Sequence, residues 1–274
     1  MKRLALLACF LLLLIYALTG QSSRVETAEI GKNNTALLPG GKEADGIIGD
    51  FVLRNDKVHA LISGNLPLRR ANMSTEYRFV TPGCLYDLDL RGANNDQITV
   101  FRPGNLGGEL SWVRVVNDGV IEAVRTAAKG DGLYTRHEYR LEPGWQYILV
   151  NSTYRNESRE AKKIATAPAW KQFSREWKVG DVRIGDSIDP FDKRAYAWGP
   201  ATPMAAEVTL APGEERTAAV VLAVADSPLA AYGVVATLAE PGSEITGTIR
   251  DSNGAPAVQA AFWVDVKEIG RAHV

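Results

Sequence analysis

The sequence is poor in the residues from which catalytic and metal sites are most often built. Its 274 residues include two cysteines, three histidines and three methionines, and the formal net charge is −1. A net charge this close to zero produces no strong basic field, so we expect no nucleic-acid partner. Outside the N-terminal apolar run the only cysteine is Cys84. We therefore expect no internal disulfide, a fold that depends on its hydrophobic core, and a buried, inert Cys84.

The few histidines and the paired carboxylates do not form a recognisable motif. His59 and His137 fall in different predicted strands, with no H-x-H, H-E-x-x-H or C-x-x-C spacing near either. Metal sites need several such ligands at characteristic spacing. Asp87 and Asp89 alternate with apolar residues in one predicted strand, and we expect both carboxylates to be solvated. We predict no catalytic residue, no metal site and no cofactor in this part of the protein.

The first 23 residues have the pattern of a secretory signal peptide. A basic Met-Lys-Arg start is followed by an uncharged apolar run from Leu4 to Leu18. As a helix this run would be about 22 Å long, shorter than the roughly 30 Å hydrocarbon core of a bilayer. The pattern therefore favours a signal peptide over a membrane span. We predict a secreted or periplasmic protein, with membrane contact only through this segment if it is not cleaved.

The body of the chain is predicted to be mainly β. Residues 24–45 are polar and glycine-rich, and we interpret them as a linker. Over residues 46–240 short apolar strands are separated by Gly, Pro and Asn-Asp turns about every ten residues, which is typical of an antiparallel β-sandwich. The segments FVL and VHALI, on either side of Asn55-Asp56, predict the first hairpin.

Only two segments have a helical pattern, residues 158–165 and 227–238. The second begins with Ser227 as a candidate N-cap and Pro228 at the first helical position. The long, Trp-rich stretch 168–203 has little periodicity, and we expect it to be an ordered excursion from the sheet.

Two groups of residues are candidates for ligand binding. One is the set of aromatic residues in the stretch 168–203, which includes Trp170, Trp177 and Trp198 and is interleaved with basic residues. The other is the strand sequence Arg136-His137-Glu138. Aromatic rings beside hydrogen-bonding groups are typical of sugar sites, although the same rings could simply anchor a long loop, and His137 could be an ordinary strand histidine. The expected partner is a glycan or another extracellular polymer.

The C-terminal residues predict the start of a second β-domain. Residues 241–267 contain the pattern G-x-I-x-D-x-x-G-x-P, which resembles the opening hairpin of the carboxypeptidase regulatory-like (transthyretin-like) domain. The matching positions are Gly247, Asp251, Gly254 and Pro256. A common sequencing-adapter oligonucleotide, read in one frame, encodes Ile-Gly-Arg-Ala-His-Val and a stop, the same order as residues 269–274. We therefore expect residues 268–274 to be adapter read-through and the natural chain to continue beyond about Lys267.

Residues 37–266 resemble the N-terminal region of large exported planctomycete-type proteins. The resemblance rests on LPGGKEADGIIGDFVLRNDKVHALISG, on RRANMSTEYRFVTPGCLYDLDLRGANNDQITVFRPG and on the C-terminal hairpin. In that family a galactose-mutarotase-like sandwich and a carboxypeptidase regulatory-like domain precede a PHP-type (polymerase and histidinol phosphatase) metallohydrolase domain similar to the CehA/McbA group. The family's catalytic His and Asp ligands have no counterpart here.

The resemblance implies a supersandwich-like antiparallel β-sandwich followed by a truncated transthyretin-like β-domain. It also implies a non-catalytic accessory role, in which the sandwich supports a hydrolase or selects its substrate. Any divalent metal would belong to the missing C-terminal part. Two alternatives stay open: a carbohydrate-binding or mutarotase/lyase-like module, and a cell-surface structural or adhesion protein.

Overall fold

The computed structural model describes residues 24–41, 44–66, 82–107, 109–127, 132–171, 175–186 and 194–239, together with residues 250, 253 and 255. The chain divides into two compact units, residues 1–239 and 240–274. The signal-peptide segment and nearly all of the second unit lie outside the described residues. The predictions for residues 241–267 and 268–274 therefore stay predictions.

The first unit is an antiparallel β-sandwich, as the sequence predicts. Its strands are β1 (Glu26–Glu29), β2 (Phe51–Arg54), β3 (Val58–Ile62), β4 (Leu85–Leu90), β5 (Val100–Arg102), β6 (Glu109–Asn117), β7 (Val120–Thr126), β8 (Leu133–Arg140), β9 (Tyr147–Asn156), β10 (Lys162–Ala165), β11 (Ala169–Lys171), β12 (Arg175–Val179), β13 (Val182–Asp186), β14 (Ala195–Pro200), β15 (Glu207–Leu210) and β16 (Glu215–Ala225). The six-stranded sheet has the order β1-β2-β3-β4-β5-β11, and the eight-stranded sheet has the order β6-β7-β8-β9-β16-β14-β13-β12. A two-stranded sheet joins β10 and β15.

The two large sheets stack face to face and enclose the main core. Strand β1 lies against β6, β2 against β7, and β4 against β16. Because side chains alternate across each strand, one face of each sheet supplies residues such as Leu53, Leu85, Tyr139 and Leu222 to this core. The first hairpin is confirmed, since β2 pairs with β3 and both strands are buried almost throughout.

The segment that we interpreted as a linker is part of the sandwich. Residues 26–29 pair with β2, and a 3-10 helix covers Thr35–Leu37. Ile30 and Leu37 pack with Val52, Leu61 and Tyr86 in a second core on the outer face of the six-stranded sheet. The apolar residues within this polar segment therefore cover a sheet face that would otherwise meet water.

This cover explains why one prediction about the acidic residues is wrong. Asp87 and Asp89 lie in β4 and are 1% and 2% exposed, so neither carboxylate is solvated. Alternation of polar and apolar residues indicates a solvated face only where nothing covers that face. Cys84, in contrast, is buried as predicted, and burial raises the pKa of its thiol to about 11.

Helix α1 (Pro228–Ala239) covers part of the outer face of the eight-stranded sheet. Ala231 and Val235 pack against Ile184 and Val221. The hydroxyl of Ser227 accepts a hydrogen bond from the backbone N–H of Ala230 at 3.3 Å, so the predicted N-cap is confirmed. No helix in the described ranges has both the length and the apolar character needed to cross a membrane.

The predicted helix at residues 158–165 is wrong. Lys162–Ala165 form β10, and the residues before it form a turn around the buried side chain of Asn156. Its amide nitrogen donates to the carbonyls of Glu160 and Leu210, and its oxygen accepts from the backbone N–H of Ser158. Local side-chain hydrogen bonds of this kind compete with helix formation. The stretch 168–203 is likewise more regular than expected, because it contains β11 to β14.

The first hairpin offers a direct test of the core. Val58 is fully buried, and Val58→Ala removes two methyl groups from the space between the sheets. We expect the free energy of unfolding to fall by about 2 kcal/mol. The matched control is Val116→Ala, because Val116 is 46% exposed and should change stability by less than about 0.5 kcal/mol. Equal losses in urea denaturation would contradict this packing.

Candidate functional site

A cleft opens at one edge of the sandwich, where the six-stranded sheet ends at β11. Its volume is about 310 Å³. One wall is β11 and the residues just before it, and the other is the inner face of β12, β13 and β14. The lining residues are Ala167, Pro168, Ala169, Trp170, Glu176, Lys178, Asp181, Arg183, Trp198, Pro200, Met204 and Ala206.

Two tryptophans from different sheets meet at the bottom of this cleft. Trp170 pairs with Phe101 across β11 and β5, and Trp198 lies in β14 of the opposite sheet. Their ring centroids are 6.4 Å apart and the ring planes cross at 81°, an edge-to-face contact of the kind that aromatic pairs favour. Each side chain is 7% exposed, so the pair belongs to the core and also lines the cleft.

The indole N–H of Trp198 is an unsatisfied donor beside the cleft. The Nε1 atom is buried, and it has no hydrogen-bond partner within the described part of the chain. Buried polar groups in folded proteins are nearly always paired. The structure therefore leaves this donor unsatisfied, and because the Nε1 atom is buried, a ligand in the cleft reaches it only if the neighbouring side chains move.

Charged side chains form the rim of the cleft. Glu176 and Lys178 alternate with Trp177 along β12 and so share one face of the strand. Arg183 of β13 lies directly opposite Lys178 on one side and Trp198 on the other. The ammonium group of Lys178 lies 3.7 Å from a carboxylate oxygen of Asp181. The cleft thus combines an apolar bottom with a polar, charged rim.

The structure brings together two of the three tryptophans that the sequence singled out. Trp177 lies on the opposite face of β12 and packs with the cluster under helix α1, which includes Ile184 and Val235. It does not line the cleft. The reason is strand alternation, which separates Trp177 from its neighbours Glu176 and Lys178.

Arg136, His137 and Glu138 are consecutive in β8, so their side chains alternate between the two faces of the sheet. His137 points into the sandwich, is fully buried, and its Nδ1 atom lies 2.9 Å from the hydroxyl of Ser152. Burial, and then the nearby Arg125, lowers the pKa of His137 to about 3. None of the three residues lines the tryptophan cleft, so the structure does not bring the two candidate groups together in one site.

The two residues beside His137 are on the outer face of the eight-stranded sheet. The guanidinium of Arg136 lies 3.9 Å from the carboxylate of Glu122, and Asn151 donates to the carboxylate of Glu138 at 3.3 Å. Both charged groups therefore have a polar neighbour on the outer face of the sheet. Within the described ranges, no three His, Cys, Asp or Glu side chains lie close enough together to hold a metal ion.

The buried acidic residues of the six-stranded sheet have unequal surroundings. One Asp89 oxygen accepts hydrogen bonds from the side chain of Arg194 at 2.8 Å and from the backbone N–H of Leu90 at 2.7 Å. Neither oxygen of Asp87 has a hydrogen-bond partner of good geometry among the described residues. Burial, followed by the charges of Asp89 and Asp45, raises the pKa of Asp87 well above its ordinary value.

Sequence reasoning missed Arg183 as a rim residue. The signal that could have found it is the alternation of Val182, Arg183 and Ile184, which predicts a strand with one charged face. That face could be assigned to the cleft only after the pairing of β13 with β14 was known.

Comparisons with known proteins identify no family for this chain. No protein-family model matches it, and no curated protein matches it. Its structural neighbours include a TPR-domain containing protein from Parabacteroides distasonis, with 12% identity and a TM-score of 0.44; the match covers 76% of this chain and 51% of that one. This chain therefore spans about half the length of that protein.

Two further neighbours are named for carbohydrate chemistry. A galactose mutarotase-like protein from Lactobacillus casei has 10% identity and a TM-score of 0.38, and the match covers 65% of this chain and all of that one. An α-galactosidase from Geobacillus stearothermophilus has 13% identity and a TM-score of 0.35, and the match covers 66% of this chain and 40% of that one. Because all three scores are below 0.5, we base the functional proposal on the cleft itself.

Proposed function

We propose that this chain is a non-catalytic, carbohydrate-binding β-sandwich module of an exported protein, and that the cleft above Trp170 and Trp198 holds the sugar. The observation that carries the proposal is the composition of the cleft. Sugars present apolar C–H faces and hydroxyl edges, so their sites need an aromatic or apolar bottom with a few polar groups at the rim. The cleft supplies both.

The size of the cleft supports the same proposal. Small-ligand pockets span roughly 300–1,000 Å³, and this cleft of about 310 Å³ is at the low end of that range. It therefore suits one or a few sugar rings rather than a large cofactor.

On the family resemblance we also propose that the module is exported and that it precedes a PHP-type metallohydrolase domain, for which it would select or orient the substrate. A divalent metal would then be held by that later domain. Sequencing the gene beyond codon 267 tests this part. A downstream domain rich in histidines would support it, and a series of further β-domains would favour a surface or adhesion protein.

The cleft can be blocked without disturbing the core. Ala206 lines the cleft and is exposed, and its neighbour Ala205 is also exposed but does not line it. The backbone of both alanines is held by hydrogen bonds from Thr166. Its backbone N–H donates to the carbonyl of Ala206, and its hydroxyl donates to the carbonyl of Ala205. We expect Ala206→Trp to weaken glycan binding at least tenfold, which is about 1.4 kcal/mol, because the new ring fills the cleft. Ala205→Trp is the matched control and should bind as the unaltered protein does.

The measurement is isothermal titration calorimetry of the full chain against a panel of soluble oligosaccharides, after melting curves have shown that both variants are folded. A panel in which no member binds would contradict the proposed function. Equal affinities of the two variants would show that any observed binding occurs elsewhere on the surface.

A further inference from the structure

We propose that the cleft selects acidic glycans, and that Lys178 and Arg183 form the subsite for the carboxylate or sulfate group of the sugar. This inference rests on the proposed function, because it names the class of sugar that the same cleft would take.

The first observation is the direct cross-strand pairing of two cations. Lys178 of β12 and Arg183 of β13 are partners in the antiparallel register and share the face that lines the cleft. Like charges directly opposite each other on neighbouring strands destabilise a sheet. An anion held between the two side chains would remove this repulsion, so the pair is arranged as an anion-binding subsite.

The second observation is the position of this pair relative to the tryptophans. Trp198 is the next residue in the same row of the sheet, directly opposite Arg183 on its other side. A sugar ring packed against the tryptophans would therefore have its substituents close to the cations. The row changes from apolar to cationic over three neighbouring strands, which matches an acidic sugar with one apolar ring face and one charged group.

The third observation is that Arg183 has no ion-pair partner in the described part of the chain. The carboxylate of Asp181 lies near Lys178, but the two side chains are 82% and 53% exposed, and exposed ion pairs of this kind are weak. Arg183 therefore keeps its full donor capacity. Its planar guanidinium can bind both oxygens of a carboxylate or sulfate at once and can also stack on an aromatic ring.

Two acidic residues, Asp181 and Glu176, line the cleft beside the subsite, and Glu176 provides a second test. Glu176 lies on the same face of β12, diagonal to Arg183, and the two side chains form no ion pair in the structure. Its negative charge repels an anionic ligand. We therefore expect Glu176→Gln to tighten the binding of an acidic glycan, whereas a role of Glu176 in holding a neutral sugar would make the same variant bind more weakly.

The experiment compares four defined probes by calorimetry on the full chain: an oligogalacturonate, its methyl ester, a sulfated galactan oligosaccharide and a neutral gluco-oligosaccharide. We expect the acidic probes to bind most tightly, with affinity that falls as salt concentration rises. Arg183→Gln should weaken their binding about 10-fold to 100-fold and leave binding of the methyl ester unchanged. The matched control is Arg216→Gln, because Arg216 is exposed and does not line the cleft. The carboxylated and sulfated probes show which of the two groups the subsite prefers.

The outcomes separate this inference from the proposed function. If the neutral or methyl-esterified probe binds as tightly as the acidic ones, or if Arg183→Gln has no effect, the acidic selectivity is overturned while glycan binding stands. If none of the probes binds, both this inference and the proposed function are contradicted. If Arg216→Gln weakens binding as much as Arg183→Gln, the effect comes from the overall charge of the protein and the subsite is overturned.

Discussion

Replacing Asp87 with asparagine is expected to stabilise the protein at pH 7 and to have little effect below pH 4. The carboxyl group is completely buried, and its pKa is raised by burial and then by the neighbouring carboxylates of Asp89 and Asp45. Between pH 3.8 and the raised pKa, the Asp87 carboxyl therefore holds a proton in the folded protein, whereas in the unfolded chain it has already released that proton. This proton uptake costs about 1.4 kcal/mol for each pH unit above the ordinary value of 3.8.

The sign of the effect follows from the raised pKa. The contribution of Asp87 to stability is fully present below pH 3.8 and is lost as the pH rises through the raised pKa in the folded protein. The neutral amide of the Asp87→Asn variant would carry no such penalty, so the free energy of unfolding at pH 7 should increase, less the cost of burying an unpaired amide.

The measurement is urea denaturation at pH 3.5 and pH 7. Asp118→Asn is the matched control, because Asp118 is exposed. If the stability of the Asp87→Asn variant relative to the unaltered protein does not rise between pH 3.5 and pH 7, the raised pKa of Asp87 is contradicted.

Replacing His137 with glutamine is expected to remove much of the sensitivity of the protein to acid. Burial, and then the charge of Arg125, lowers the pKa of His137 from 6.5 to about 3. The folded protein keeps the imidazole neutral, whereas the unfolded chain gains a proton below pH 6.5. The stability that depends on the neutral ring is therefore present above pH 6.5 and is lost as the pH falls toward 3, by up to about 5 kcal/mol in total.

The variant should lose some stability at neutral pH, because glutamine replaces the contact between His137 and Ser152. Its free energy of unfolding should then fall less steeply than that of the unaltered protein between pH 6.5 and pH 4. His59→Gln is a useful comparison, since burial, followed by Arg54 and Arg91, lowers the pKa of His59 to only about 4. Parallel pH profiles for the His137 variant and the unaltered protein would show that His137 does not titrate in this way.

The elements with strong local signals could be predicted from the sequence. The first hairpin has a turn in which the side chain of Asn55 accepts hydrogen bonds from the backbone N–H groups of Lys57 and Val58, and asparagine is a typical residue for such a turn. Helix α1 begins with the cap and proline expected of a helix N-terminus. In both cases the residues that determine the structure are close together in the sequence.

The surroundings of Asp87 could not be predicted in this way. The alternation in β4 shows that its side chains point to two faces, but it does not show that Ile30 and Leu37 cover the second face. Ile30 and Leu37 lie more than forty positions before Asp87 in the sequence. The polar composition of the segment that contains them indicates a linker, so it gives no sign that these two residues cover a sheet. Long-range packing therefore decides whether an acidic residue is solvated or buried.

The candidate site could be predicted only in part for the same reason. Aromatic composition pointed to Trp170 and Trp198, which the fold brings together from two sheets. It could not separate them from Trp177, whose side chain points to the other face of its strand. The importance of Arg183 depends on its register with Lys178 and Trp198, and register between strands is a property of the whole sheet.

The indole N–H signals of the tryptophans, recorded by NMR during titration with an oligogalacturonate, test the central claim most directly. The sequence has six tryptophans, and single substitutions to phenylalanine assign their signals. Binding in the cleft predicts saturable shifts of the Trp170 and Trp198 signals, because both residues line the cleft, while the signals of Trp112 and Trp177 stay in place. Shifts confined to Trp112 or Trp177, or no shift at any tryptophan, would contradict the cleft as the carbohydrate site.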